Sequence, residues 1–213
     1  WKPSAVSIGR FQDVSKEVHV ENCRRLGVDI VRRITGGGTV YHDSQSEITY
    51  SVIAREEDFG TKDVLIAYNT ICNGLIEAAK FLGVKADFNP GDPKNCPNIA
   101  IQGKKISGSA QFHKGGVLLQ HGTFLLEADL EKMFTFLRVL AREKLTSIKN
   151  ELGERVSTEE AYRALVKGFE KALNVQLREE ALTPYEQKLA QKLRRDKFST
   201  EEWNLRGKTQ PEG

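Results

Sequence analysis

The sequence predicts an α+β fold, a mostly mixed or antiparallel sheet flanked by helices, in one domain spanning residues 1–213. Three observations carry this. Strand patterns occupy the first two thirds, and helical patterns fill 130–205. A run of three glycines is followed by a strand, where a doubly wound nucleotide fold would place a helix. Hydrophobic residues at 39% against 29% charged suit a 213-residue chain with a substantial core.

In order along the chain, residues 5–8 are short, apolar and closed by Gly9, which reads as a strand. Over 14–26, Val14, Val18, Val20 and Leu26 recur among charges and predict an amphipathic helix. The β-branched stretch 28–31 predicts a buried strand. Beyond the glycines, 39–41 and 48–53 read as strands. Val64, Ile71, Leu75, Ala78, Ala79 and Leu82 fall at helical spacing and Gly83 follows as a stop, which predicts a helix over 64–82. Residues 89–97, rich in Pro, Gly, Asn and Asp, read as a loop. A hairpin with arms 99–101 and 105–110 turns at Gln102-Gly103, and a strand over 117–126 is interrupted at Gly122. Helices are predicted over 130–140, 158–173 and 184–194, the second opened by a capping signal at Ser157 and Glu160. Residues 198–203 read as a polar-aromatic tail.

Thirty-two basic against 29 acidic residues leave a net charge of +3, too balanced to argue for nucleic acid. No apolar run is long enough to span a bilayer. Three cysteines, Cys23, Cys72 and Cys96, are too few and too scattered for a disulfide framework, so a reducing cytoplasm is expected.

Two segments carry chemistry. In the first, Arg32 and Arg33 precede Gly36, Gly37 and Gly38, then Thr39, Val40, Tyr41, His42 and Asp43. Successive glycines can take positive φ and let a ligand approach the backbone, whose N–H groups can cradle phosphate oxygens. The arginines supply fixed positive charge and paired donors. The plain alternative is a glycine hairpin with solvated arginines, and His42 alone reads equally as a satisfied, partly buried histidine.

The second segment is the lysine hairpin. Alternation puts Lys105, Ser107 and Ser109 on one strand face, opposite Lys104 and Ile106. A lysine over small residues has room for a ligand and can neutralise developing negative charge. Downstream, Gln120, His121 and Thr123 interrupt an apolar strand, which points polar groups at a pocket. Judged alone, Lys105 reads as a solvated hairpin lysine. No protein-bound metal site is read.

Taken together and in this order, residues 3–12, 32–43, 104–111 and 120–126, with Glu202-Trp203-Asn204, resemble the lipoate-protein ligase A family. The resemblance implies a biotin/lipoate-ligase-like, class II synthetase-like fold. It implies two steps: lipoate and ATP, with Mg²⁺, give lipoyl-AMP, and a lysine of an acceptor lipoyl domain then takes the lipoyl group. The acceptor would be a 2-oxoacid dehydrogenase subunit or the glycine-cleavage H protein. Carried over, Arg33, Gly36, Gly37, Gly38, Thr39, Val40 and Tyr41 line the substrate and ATP site. Lys105 meets the activated carboxylate and α-phosphate as the catalytic residue, beside Gly108 and Ser109, and His42, His121 and Thr123 line the adjoining pocket. The same resemblance suggests that an N-terminal strand and helix precede Trp1, and that a C-terminal accessory domain is absent or is a separate subunit.

Octanoyltransferases resemble the same family and use no ATP. A cysteine takes the acyl group from acyl carrier protein as a thioester and passes it to the acceptor lysine. Cys96 is the candidate nucleophile, yet it lies only nine positions before Lys105, closer than the nucleophile of the transferases that the chain resembles. Ligation is therefore the first expectation and octanoyl transfer the alternative, with a catalytically inactive lipoate- or nucleotide-binding module as a further one.

Overall fold

A computed structural model describes residues 1–60, 63–91, 96–138 and 145–207. The chain divides into two compact units, one made of 1–44, 131–140 and 178–213, the other of 45–130 and 141–177.

In the first unit, β1 (Ala5–Ile8) runs parallel to β2 (Asp29–Arg32) and antiparallel to β3 (Val40–His42). The single helix predicted over 14–26 is two, α1 (Val14–Glu17) and α2 (Val20–Leu26). Val18 is extended and bridges to Leu137, while the His19 N–H donates to the Phe136 carbonyl. That tertiary pairing overrides helical periodicity. Leu137 follows α4 (Leu130–Phe136); the rest of the helix predicted over 130–140 includes 139 and 140, outside the described residues. α7 (Pro184–Leu193) and α8 (Glu201–Asn204) complete this unit.

The tail read as polar-aromatic is instead the unit's anchor. Trp203 is buried, and its indole N–H donates to the Arg32 carbonyl. The buried Arg32 guanidinium donates to the carbonyls of Trp203, Gly9, Arg10 and Gln12. Asn204 Oδ1 accepts from the Arg32 N–H. A buried cation persists only with such partners.

The second unit is a five-stranded antiparallel sheet in the order β4 (Glu47–Arg55), β8 (Val117–Leu125), β7 (Lys104–Lys114), β6 (Asn98–Ile101) and β5 (Asp87–Asn89). β5 occupies residues left unassigned before, or at the start of, the predicted loop, of which 92–95 lie outside the described residues. β8 runs through Gly122 without a break. Gln102 and Gly103, both at positive φ, close the predicted hairpin.

α3 (Val64–Phe81) and α6 (Thr158–Leu173) cover one sheet face, and α5 (Ile148–Leu152) adds Ile148 to the core. The α3–α6 crossing is close because it is glycine on glycine. A Cβ on Gly168 would stand 2.2 Å from the Gly74 carbonyl oxygen. Ser157 caps α6 and Glu160 closes the capping box, as the sequence predicts.

Candidate active site

The lysine hairpin is built by a β-bulge. Ala100 pairs with Lys105 but Ile99 pairs with Ser107, so Ile106 is the extra residue. This corrects the predicted face. Ser107 and Ser109 turn toward the helices, where Ser109 Oγ lies 3.8 Å from Cys72 Sγ of α3. Lys105 instead shares the other face with Gly108, three positions on. The lysine lies flat over that glycine: a Cβ there would stand 2.7 Å from Nζ and 2.8 Å from Cε. The Lys105 backbone is pinned on both sides, by Ala100 and by a parallel bridge to Leu145, and its carbonyl accepts from the Thr146 N–H.

His121 and Thr123 of β8 alternate with Gln120 and Gly122, which face the helices, and so lie on the Lys105 face. Thr123 is buried and His121 half-buried. Asn98, not anticipated from the sequence, pairs with Gly108 across the sheet. It is buried, its amide donates to the Cys96 carbonyl at 3.3 Å, and its Oδ1 accepts no hydrogen bond from the described residues. Cys96 is exposed and lies two residues before Asn98, the first residue of β6. Burial, and next the neighbouring Cys96, push the Tyr68 phenol of α3 upward.

Behind this face runs a polar chain, and Gln120, expected to face the pocket with His121 and Thr123, belongs to it instead. Tyr50 Oη bonds Ser109 Oγ at 2.8 Å and accepts from Gln120 at 2.9 Å. Gln111 donates to Gln120 at 2.6 Å, and His113 bridges Gln111 and Glu56. Cys72 lies against this chain, and burial pushes its thiol up to about 11. It is no nucleophile at neutral pH.

The glycine turn lies in the first unit. Of its three glycines only Gly37 takes positive φ, so the expected run of left-handed residues reduces to one. Gly9 comes so close to it that a Cβ would stand 2.1 Å from the Gly37 carbonyl oxygen. Arg33 organises this turn, donating to the carbonyls of Ser7, Gly36 and Gly38. It also donates to Ser7 Oγ, which bonds His42 Nε2 at 2.7 Å. His42 is buried and stacks on Trp1. Thr39 Oγ1 lies near Gln12 and Glu17, and Tyr41 stacks on Phe136 with its hydroxyl donating to Asp43. Val40 pairs with Ser7. Arg33 through His42 thus gather in one unit, and Cys96, Lys105, Gly108, Ser109, His121 and Thr123 in the other, where Ser109 faces away from Lys105.

Comparison with known proteins gives these features a family. The model of the lipoyl protein ligase A/B catalytic domain matches residues 1–170. Octanoyltransferase LipM of Geobacillus kaustophilus is 38% identical, covering 97% of this chain and 84% of that enzyme. LipM enzymes of Anoxybacillus flavithermus and Bacillus subtilis match at 37% and 33% over the same 97% of this chain and 84% of each enzyme. Among solved structures, a lipoate-protein ligase A bound with ATP superposes with a TM-score of 0.85 at 32% identity, covering 95% of this chain and 82% of that one. A bi-partite lipoate protein ligase of Thermoplasma acidophilum, studied with its E2 lipoyl domain, superposes at 0.84 with 29% identity, covering 99% and 84%.

The fold is therefore the α+β fold of the lipoate ligases, as expected. The first functional expectation, ATP-dependent lipoate ligation, is overturned. Relatives at 33–38% identity along nearly the whole chain are octanoyltransferases, which matches the alternative reading. Of the ATP, Mg²⁺ and lipoate expected with ligation, bound ATP and bound lipoic acid are properties of solved lipoate-protein ligases similar to this chain. The short register between Cys96 and Lys105, which favoured ligation, was a weaker guide than similarity over the full length. The chain is an enzyme of the lipoate ligase and transferase group, and it belongs to the lipoyl protein ligase A/B catalytic domain family.

Proposed function

We propose that the protein is an octanoyltransferase that moves an octanoyl group from acyl carrier protein to a lysine of an acceptor lipoyl domain through a thioester on Cys96. The observation that carries this is the similarity to LipM octanoyltransferases over 97% of the chain. The lipoyl domain as acceptor is supported by the lipoylation system of the related T. acidophilum ligase. A cytoplasmic setting fits the free thiols of Cys23, Cys72 and Cys96.

In this mechanism Cys96 Sγ, as thiolate, attacks the carbonyl carbon of the carrier-bound thioester. The new carbon–sulfur bond forms, the old one breaks, and the carrier thiolate leaves and takes a proton. The neutral acceptor amine then attacks the Cys96 thioester. The amide bond forms, Cys96 leaves as thiolate, and the amine gives up its proton to solvent. Both steps pass through an oxyanion, and the Lys105 ammonium supplies the compensating charge. Gly108 lets the lysine lie flat at that place. Asn98 fixes the Cys96 backbone through its carbonyl. His121 and Thr123 line the same face, beside the small side chain of Ala110.

The test is transfer from octanoyl-acyl carrier protein to an apo lipoyl domain without ATP, followed by intact mass. The wild type is expected to modify the acceptor, and Cys96→Ala to leave it unmodified. Equal transfer by Cys96→Ala would refute the thioester route.

A further inference from the structure

α7 buries none of its residues against the other described residues. It has ten residues and none of them is buried, and the whole stretch 174–196 is exposed. A helix this short is marginal in water by itself. Its start is secured by Pro184 at its N-terminus and by a capping box between Thr183 and Glu186, worth on the order of 1 kcal/mol. Helical spacing gathers Leu182, Tyr185, Leu189 and Leu193 into one stripe, exposed by 59%, 74%, 39% and 41%. An apolar stripe on a helix that covers no core is a surface awaiting a partner.

The rim of that stripe identifies the partner's chemistry. Lys188 and Lys192 border it one turn apart, and neither has an ion-pair partner among the described residues. Arg194, Arg195 and Lys197 continue the positive charge into the next turn. The two acidic residues of this stretch are already engaged, Glu186 with the Thr183 cap and Asp196 with Arg195. Over 184–198, five basic residues face two acidic ones, a surplus equal to the whole chain's net charge of +3. Within 184–198 the basic residues thus border one exposed apolar helix face. The complement is an acidic protein with a small apolar patch on a helical surface.

We infer that α7 is the docking helix for the acyl carrier protein that brings the octanoyl group. This rests on the octanoyltransferase reading for the identity of the partner. Carboxylates and the phosphodiester of the carrier's prosthetic arm would meet Lys188, Lys192 and Arg194, while the carrier's apolar patch covers Tyr185 and Leu189.

The experiment uses the full chain with octanoyl-acyl carrier protein as donor, a small octanoyl thioester as a carrier-free donor, and a lipoyl domain as acceptor. The variants are Lys188→Glu with Lys192→Glu, and separately Leu189→Asp, each checked for folding by circular dichroism. The expected result is a KM for octanoyl-acyl carrier protein raised about tenfold or more, with a weaker salt dependence in the charge-reversed variant. Turnover of the small thioester and the KM for the lipoyl domain should stay unchanged. An unchanged KM for the carrier protein, with the wild type active, overturns the docking role and leaves the octanoyltransferase reading intact. A rise only in the lipoyl-domain KM assigns α7 to the acceptor and equally overturns it, as does a change only in self-association on light scattering. A wild type inactive with octanoyl-acyl carrier protein overturns the functional reading itself.

Discussion

Gly108→Ala tests how the site is held. In the wild type the Lys105 side chain crosses directly over Gly108, and an added methyl would stand 2.7 Å from Nζ and 2.8 Å from Cε. Those contacts fall about 0.7 Å short of ordinary contact, so the ammonium must retreat by something near that amount. The obstruction involves the far end of a flexible side chain, and Gly108 is not at positive φ, so the backbone tolerates alanine. Stability should change by less than about 1 kcal/mol. Activity is another matter: displacing a catalytic group by about 1 Å costs roughly 100-fold, about 2.7 kcal/mol of barrier. Steady-state transfer to a lipoyl domain, with urea unfolding of the same samples, separates the two effects. A Gly108→Ala enzyme with wild-type kcat would refute the assignment of Lys105 as the charge at the reacting carbonyl, because the methyl cannot coexist with the observed lysine position.

Other expectations follow from the same geometry. Lys105→Ala should abolish transfer while leaving the fold intact on circular dichroism, since Lys105 is only half-buried. Arg32→Met should cost about 3–5 kcal/mol in urea unfolding, because it strips a buried cation from four carbonyl partners and leaves them unsatisfied. Alkylation at pH 8 should label Cys96 ahead of Cys23 and Cys72, whose thiols burial pushes up to about 11, as read by peptide mass spectrometry. The same shifts make the native state the tighter binder of those two protons. Their contribution to stability is full below the ordinary thiol value near 9.0 and is lost as pH rises toward about 11, which unfolding at pH 8, 9.5 and 10.5 would display.

The sequence made most of the elements legible because local pattern and tertiary role agree in them. Leu75, Ala78 and Ala79 share a helical face and do cover the sheet, and Gln102-Gly103 does turn the hairpin. It misled where a partner elsewhere in the chain decides. Val18 is drawn out of a helix by Leu137, and Trp203 looks like part of a polar tail until Arg32 is seen against it. The site was legible as residue types and less so as faces. Simple alternation joined Lys105 to Ser107 and Ser109, but one extra residue, Ile106, transfers the lysine to the opposite face. A bulge leaves no periodic signature. Arg32 and Arg33 read as a pair of cations beside the glycines, and that both donate to carbonyls of their own unit is visible only in the fold. Asn98 carried no motif at all, and what marks it is a buried Oδ1 without a hydrogen bond from the described residues.

The most direct test of the account is the mass of the enzyme itself after brief incubation with octanoyl-acyl carrier protein, with no ATP and no acceptor. The account predicts one octanoyl group on the chain, mapped to Cys96, removed on addition of an apo lipoyl domain and absent from Cys96→Ala. An unmodified enzyme whose acceptor is nevertheless octanoylated, or an acyl group mapped to any other residue, would contradict it.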